Sequence, residues 1–161
     1  YQEQKQKKTQ HVIDSVKEFS KDEYKVDIFK LESPVHSNDL EGEISQATEE
    51  AFKDLSNATN NKPWVVLSSG MGKDSFYKCL ELAYKNGASG YLAGRTIWLD
   101  AFNQYPNIEL VEEGLKVNSI SYVNKLNELT AKNAQSLETY FNNGFKIDSP
   151  EQFSNNFGGF V

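Results

Sequence analysis

The chain has 161 residues, is 38% hydrophobic and 25% charged, and carries a formal net charge of −6. That length and mix suit one globular unit large enough to bury a core. The acidic balance excludes nonspecific nucleic-acid binding, which needs a basic excess, but permits a small anionic substrate held by a few cations and helix N-termini. No apolar run approaches the ~18–20 residues that cross a bilayer, so no membrane association is expected, and no signal-peptide pattern opens the chain. The one cysteine, Cys79, cannot close an internal disulfide, which makes a reducing cytoplasm the expected setting. The first residue is Tyr1, in what reads as a helix, and this suggests a chain that begins partway through a larger protein.

Val12, Ile13, Val16 and Phe19 recur at helical spacing and predict a helix from about residue 4 to 19. Lys-Val-Asp-Ile-Phe-Lys-Leu-Glu (25–32) is short and apolar and stops before Pro34, as a buried strand would. A polar loop is expected over 33–42. Ile44, Ala47, Ala51, Phe52 and Leu55 mark a second amphipathic helix, followed by a turn cluster from Asn57 to Lys62. Pro63 opens the clearest strand, Trp-Val-Val-Leu-Ser-Ser, and Ser68 to Gly72 is a loop of mostly small residues. Phe76, Cys79, Leu80 and Ala83 form the stripe of a third helix, with Gly87 where a C′ glycine belongs. Residues 88–93 read as a third strand that ends at Gly94-Arg95, and Thr-Ile-Trp-Leu-Asp-Ala-Phe reads as helix. One longer helix follows Pro106, with Ile120, Val123, Leu126 and Leu129 as core candidates, and the Asn-, Gly- and Phe-rich stretch 142–161 reads as a tail.

Strands thus alternate with helices, which predicts an α/β fold with a parallel sheet. A complete (βα)8 barrel takes about 250 residues. The chain is therefore either a small open α/β domain or part of a barrel whose earlier strands are absent. Three strands leave open edges, and an exposed edge predicts association of copies into a homo-oligomer.

Three features could carry chemistry. Lys30 lies between Phe29 and Leu31, and strand alternation would put it on one face with Val26, Ile28 and Glu32. Desolvation there would disfavour the ammonium and leave a neutral amine able to attack a ketone, with Glu32 to hold the lysine or move protons. The alternative is an edge-strand lysine in solvent, paired with Glu32. Ser68-Ser69-Gly70-Met71-Gly72 could cradle an anion on backbone N–H groups or be a plain βα turn; Leu67 excludes a nucleotide P-loop. Gly94-Arg95 could grip a phosphate or cap a carboxylate. All three fall at or near the C-terminal ends of successive strands, where barrel enzymes place their active sites. If the strands are numbers six to eight, the two glycine-containing ends occupy the common phosphate positions. His11, His36 and Cys79 make no metal-ligand spacing, and Trp64 and Trp98 read as core.

Val-Asp-Ile-Phe-Lys-Leu-Glu-Ser-Pro-Val (26–35), Leu-Ser-Ser-Gly (67–70) and Gly-Ala-Ser-Gly-Tyr-Leu-Ala-Gly-Arg-Thr-Ile-Trp (87–98) together resemble, in order and spacing, three strands of the tagatose-1,6-bisphosphate aldolase family, whose close relatives include sulfofructose-1-phosphate aldolases. The resemblance runs from about residue 8 to 105. It implies strands six to eight of a (βα)8 barrel over 1–141, with the N-terminal strands absent from the chain and a tail over 142–161. It implies a Schiff base at Lys30, an acidic neighbour in Glu32, and a ketose C1 phosphate held by Ser68, Gly70 and Arg95 with the Gly94 N–H; Ser69 stands where the family usually has alanine. The reaction so implied is metal-free and cofactor-free cleavage of a phosphorylated ketose to dihydroxyacetone phosphate and an aldehyde. The family's proton-shuttling glutamate and a second active-site lysine have no match here. Two other readings stand beside it: a phosphate-binding barrel of another chemistry, such as an isomerase, and a noncatalytic interaction domain.

Overall fold

The computed structural model describes residues 2–141, with side chains from residue 7 onward, so the tail expected over 142–161 lies outside the described residues. The elements are α1 (Gln2–Phe19), β1 (Phe29–Leu31), α2 (Gln46–Ala58), β2 (Trp64–Leu67), α3 (Lys73–Lys85), β3 (Gly90–Leu92), α4 (Arg95–Phe102), α5 (Ile108–Gly114) and α6 (Ile120–Asn133). The three strands form one parallel sheet in the order β1-β2-β3. The α/β alternation expected from the sequence is therefore present, as is a sheet with both edges free among the described residues.

The sheet has one covered face and one open face. In the register Phe29 pairs with Trp64, and Leu31 with Val66 and on to Tyr91. Phe29, Leu31, Trp64 and Val66 are buried in a core with Phe52 and Leu55 of α2 and Phe76, Cys79 and Leu80 of α3. Parallel pairing sends the alternate residues, Lys30, Val65, Leu67, Gly90 and Leu92, to the other face. Ile28 and Leu92, 43% and 46% exposed, rim that face.

Local chemistry explains the helix ends. Ser45 caps α2 by accepting a hydrogen bond from the Thr48 N–H at 3.2 Å. Gly87, at φ +85°, donates to Tyr84 O while Ala88 donates to Ala83 O, which closes α3 in the two-bond pattern of a C′ glycine. Three tyrosines tie α6 to the rest: Tyr122 donates to Lys73 O at 2.7 Å, Tyr91 to Asn127 Oδ1 at 2.8 Å, and the Tyr84 hydroxyl meets that of Thr130 at 2.8 Å. Gly114 packs so closely on α4 that a Cβ there would lie 3.0 Å from the Ala101 Cβ.

Several expectations need correction. Phe19 is half exposed and packs edge-on against Tyr24 instead of entering the core. Ala47 is exposed and Thr48 takes the buried position in α2. The segment expected as a polar loop over 33–42 is interior at Ser33, Pro34, Val35 and Leu40, and α1 clasps its start through Thr9, whose hydroxyl donates to Pro34 O at 2.8 Å. The long helix after Pro106 is two helices joined by a π-helical turn, Leu115–Ser119. That wider turn rotates α6, so Tyr122 and Leu126 face inward while Ile120 is 55% exposed. No helix among the described residues is long and apolar enough to cross a membrane.

Candidate active site

β1 is shorter than the apolar run suggested, and this decides what surrounds Lys30. Only Phe29–Leu31 pairs with β2; Val26 lies before the ladder and packs against the core, so it does not share the Lys30 face. Lys30 is exposed. The desolvation expected of it is absent because no layer among the described residues covers the open face. Among the described residues its amine has no ion-pair or hydrogen-bond partner. Glu32 does not hold it: the Glu32 carboxylate lies 3.5 Å from the Lys8 amine of α1, a partly exposed contact. A shallow groove of about 250 Å³ runs along the free edge of β1, between His11 and Ser15 of α1 and Lys30 and Glu32.

The ends of β2 and β3 are brought together. Ser68 is buried, its N–H donates to Leu92 O at 2.9 Å, and its carbonyl accepts from Met71 N–H at 2.9 Å. Both of its backbone groups are therefore engaged in building the turn. Ser69 and Gly70 follow at φ +50° and +75°, left-handed conformations that favour glycine, and both are exposed. Among the described residues their N–H groups have no hydrogen-bond acceptor.

Arg95 reaches that turn from the first residue of α4. A Cβ on Gly70 would meet the Arg95 guanidinium, with Nη2 at 3.2 Å and Cζ at 3.4 Å. The guanidinium has no hydrogen-bonding or ionic partner among the described residues. Gly94 is the α4 N-cap, and the first N–H groups of a helix have no acceptor within it. Thr96, buried, donates from its hydroxyl to Met71 O at 2.7 Å, so α4 is bolted to the turn after β2. An exposed guanidinium, two unbonded N–H groups at positive φ and a helix N-terminus thus meet in one place, the arrangement that favours an anion.

A sequence model of the DeoC/LacD family aldolases matches residues 1–100. The chain belongs to this family. Among its relatives in this aldolase family, tagatose 1,6-diphosphate aldolase 1 of Enterococcus faecalis is 33% identical over 139 residues, covering 81% of this chain and 43% of that protein. Tagatose 1,6-diphosphate aldolase 2 of the same organism is 35% identical over 142 residues, covering 80% and 42%. The tagatose 1,6-diphosphate aldolase of Staphylococcus epidermidis is 36% identical over 116 residues, covering 66% and 34%. The chain thus spans about two-fifths of the length of the first two relatives. It forms part of a barrel-type aldolase sheet, three parallel strands alternating with helices.

Of the residues singled out beforehand in this aldolase chain, Ser69, Gly70, Gly94 and Arg95 gather at one place and Lys30 stands on the open face two strands from β3. Glu32 turns toward α1. Two residues escaped the sequence reading. Thr96 carries no signal beyond its place after Arg95. Trp98, read as core, is 37% exposed, and its indole Nε1 lies 3.7 Å from where a Gly94 Cβ would stand. The ring rests edge-on against Phe102 instead of entering the core, because α4 turns Trp98, Leu99 and Phe102 outward and Ala101 inward. Among the described residues no group of three His, Cys, Asp or Glu side chains is gathered so as to hold a metal ion.

Proposed function

We propose that the intact protein is a Schiff-base aldolase that reversibly cleaves a ketose phosphate of the tagatose 1,6-bisphosphate or sulfofructose 1-phosphate type to dihydroxyacetone phosphate and an aldehyde. The observation that carries the reading is the free Arg95 guanidinium lying over Gly70, at the strand ends next to the open face that bears Lys30. The names of the relatives support the substrate class. Residues 1–141 would supply strands six to eight of a barrel, with 142–161 as a tail; further βα units would close over the open face and take Lys30 out of water. The free sheet edges support association between copies, and the single buried thiol suits a cytoplasmic enzyme.

In this reading Arg95 and the N–H groups of Ser69, Gly70 and Gly94 hold the C1 phosphate, and Ser68 shapes the turn. The Lys30 amine adds to the C2 carbonyl and water leaves, giving an iminium. A base takes the C4 hydroxyl proton, the C3–C4 bond breaks, and its electron pair moves into the iminium to form an enamine while the aldehyde departs. Protonation at C3 and hydrolysis return the amine and release dihydroxyacetone phosphate. Glu32 stands beside Lys8 and not beside Lys30, so in this reading the base comes from another part of the barrel. No metal or organic cofactor enters this sequence.

Borohydride reduction in the presence of dihydroxyacetone phosphate tests the reading. A covalent adduct on Lys30 found by peptide mass analysis is the expected result, and its absence defeats the proposal. The exposure of Lys30 favours one rival, in which the lysine is an electrostatic contact in another sugar-phosphate chemistry such as isomerisation. Lys30→Arg would retain activity under that rival and lose it here.

A further inference from the structure

Two short segments meet residue by residue beside the anion cluster. The turn after β2 runs from Gly70 through Met71 and Gly72 into Lys73, the first residue of α3, and α4 opens with Arg95 and Thr96. The Arg95 guanidinium lies over Gly70, the Thr96 hydroxyl donates to Met71 O at 2.7 Å, and the Asp100 carboxylate lies 2.9 Å from the Lys73 amine. Thr96 and Asp100 are four residues apart, so they share one face of α4 and stand about 6 Å from each other along its axis. Lys73 is itself held in place. Its carbonyl accepts the Tyr122 hydroxyl of α6 at 2.7 Å, and its amine stands 5.7 Å from the centre of the Tyr122 ring, within cation–π range.

One contact between a helix and a turn is a pivot; a second contact, a helical turn away, sets the angle. The Thr96 bond alone would let α4 rock about Met71 O, and Arg95, next to Thr96, would swing with it. The Lys73–Asp100 pair contributes little to stability, because the Asp100 side chain is 72% exposed and such pairs are weak. Its contribution is directional. We propose that Lys73 and Asp100 are positioning residues for the anion cluster: they fix the tilt of α4 and so keep the Arg95 guanidinium over Gly70. This inference rests on the reading above, in which that cluster holds the phosphate, and adds to it the pair that aims the arginine. The sign of one substitution separates it from plain electrostatics. Asp100 is a negative charge on the helix that carries the anion site. By charge alone its removal favours an anion; if the pair aims Arg95, its removal weakens binding.

Calorimetric titration of the intact protein with inorganic phosphate, beside thermal melts, tests it on Asp100→Asn, Lys73→Met, the double variant and Lys73→Arg. Each of Asp100→Asn and Lys73→Met should weaken phosphate binding about threefold, the scale of a partly exposed ion pair. The double variant should bind no more weakly than Lys73→Met, because either change alone already breaks the pair. Lys73→Arg should restore parental affinity, since a guanidinium also bonds a carboxylate. Parental or tighter binding by Asp100→Asn overturns the proposal, and so do single losses that multiply in the double variant. A weakening confined to variants that melt well below the parent overturns it too, because the loss would then be one of fold. A parent that binds no phosphate, or binds it no better than Arg95→Gln does, defeats the reading of the anion cluster itself and takes this inference with it, so the two failures are distinguishable.

Discussion

Gly70→Ala perturbs the anion cluster in two ways whose sizes can be worked separately. The native φ of +75° costs a residue with a Cβ about 1–2 kcal/mol. For a chain of this size that corresponds to a drop of roughly 2–8 °C in melting temperature. The added methyl would also stand 3.2 Å from Arg95 Nη2 and 3.4 Å from Cζ. The guanidinium is the exposed end of a flexible side chain, so it yields and little further stability is lost. What is lost is its position over the turn. A charge-assisted hydrogen bond is worth about 1.5–3 kcal/mol, so inorganic phosphate should bind roughly 10- to 100-fold more weakly. Calorimetric titration with inorganic phosphate, beside a thermal melt, measures both effects. A variant with the lower melting temperature but parental phosphate affinity would refute the idea that Arg95 and the Gly70 turn act as one clamp.

Three further outcomes follow from the geometry. Trp98 and Trp64 are the only tryptophans, the first beside Gly94 and the second buried; inorganic phosphate should shift the Trp98 indole N–H resonance and leave that of Trp64 in place, and two unmoved signals would remove the anion from this site. Thr96→Val keeps the shape of a buried side chain but deprives Met71 O of its 2.7 Å donor; a loss of about 1 kcal/mol by urea titration is expected, with weaker phosphate binding as the bolt between α4 and the turn loosens. Burial pushes the Cys79 thiol up from its ordinary value of 9.0 to about 12, so the unfolded chain gives up the proton first. Stability is therefore full below about pH 9 and falls as pH rises toward 12, by about 1.4 kcal/mol at pH 10. Cys79→Ala should flatten that component of the urea midpoint between pH 8 and 10, and an identical slope in both proteins would refute the assignment.

What the sequence disclosed tracks what is local. The run Trp64–Leu67, the α3 stripe and Gly87 are each fixed by their own neighbours, and their elements appear where the pattern puts them. The juxtaposition of Gly70 with Arg95 was legible only through the order of strands, because parallel neighbours bring the residues after β2 and β3 to the same end. Three things depended on what lies across space. Lys30 was expected to be desolvated because its sequence neighbours are apolar, yet Phe29 and Leu31 point to the opposite face and protect nothing around the amine. The stretch 33–42 is polar in composition, yet Ser33, Pro34 and Val35 are interior because α1 lies against them. In α6 Leu126 and Leu129 meet the core as their spacing predicts, while Ile120, next to a π-helical turn that leaves no mark in the hydrophobic pattern, faces outward and Tyr122 takes an inward place.

The phenol groups of Tyr84, Tyr91 and Tyr122 have a consequence for how the end of the chain can vary. The family match stops at residue 100, but α6 is not an appendage added beyond it. Each tyrosine sends or receives a hydrogen bond across the α3–α6 or β3–α6 seam, and the Gln135 N–H closes the same seam on Ala88 O. A chain cut after residue 100 would bare the flank of α3 that receives Leu126 and strand the hydroxyls of Tyr84 and Tyr91. A substitution at Asn127 removes the partner of Tyr91 in β3 and one at Thr130 the partner of Tyr84 in α3, so the last helix is joined to the strand layer at one point and to the neighbouring helix at another.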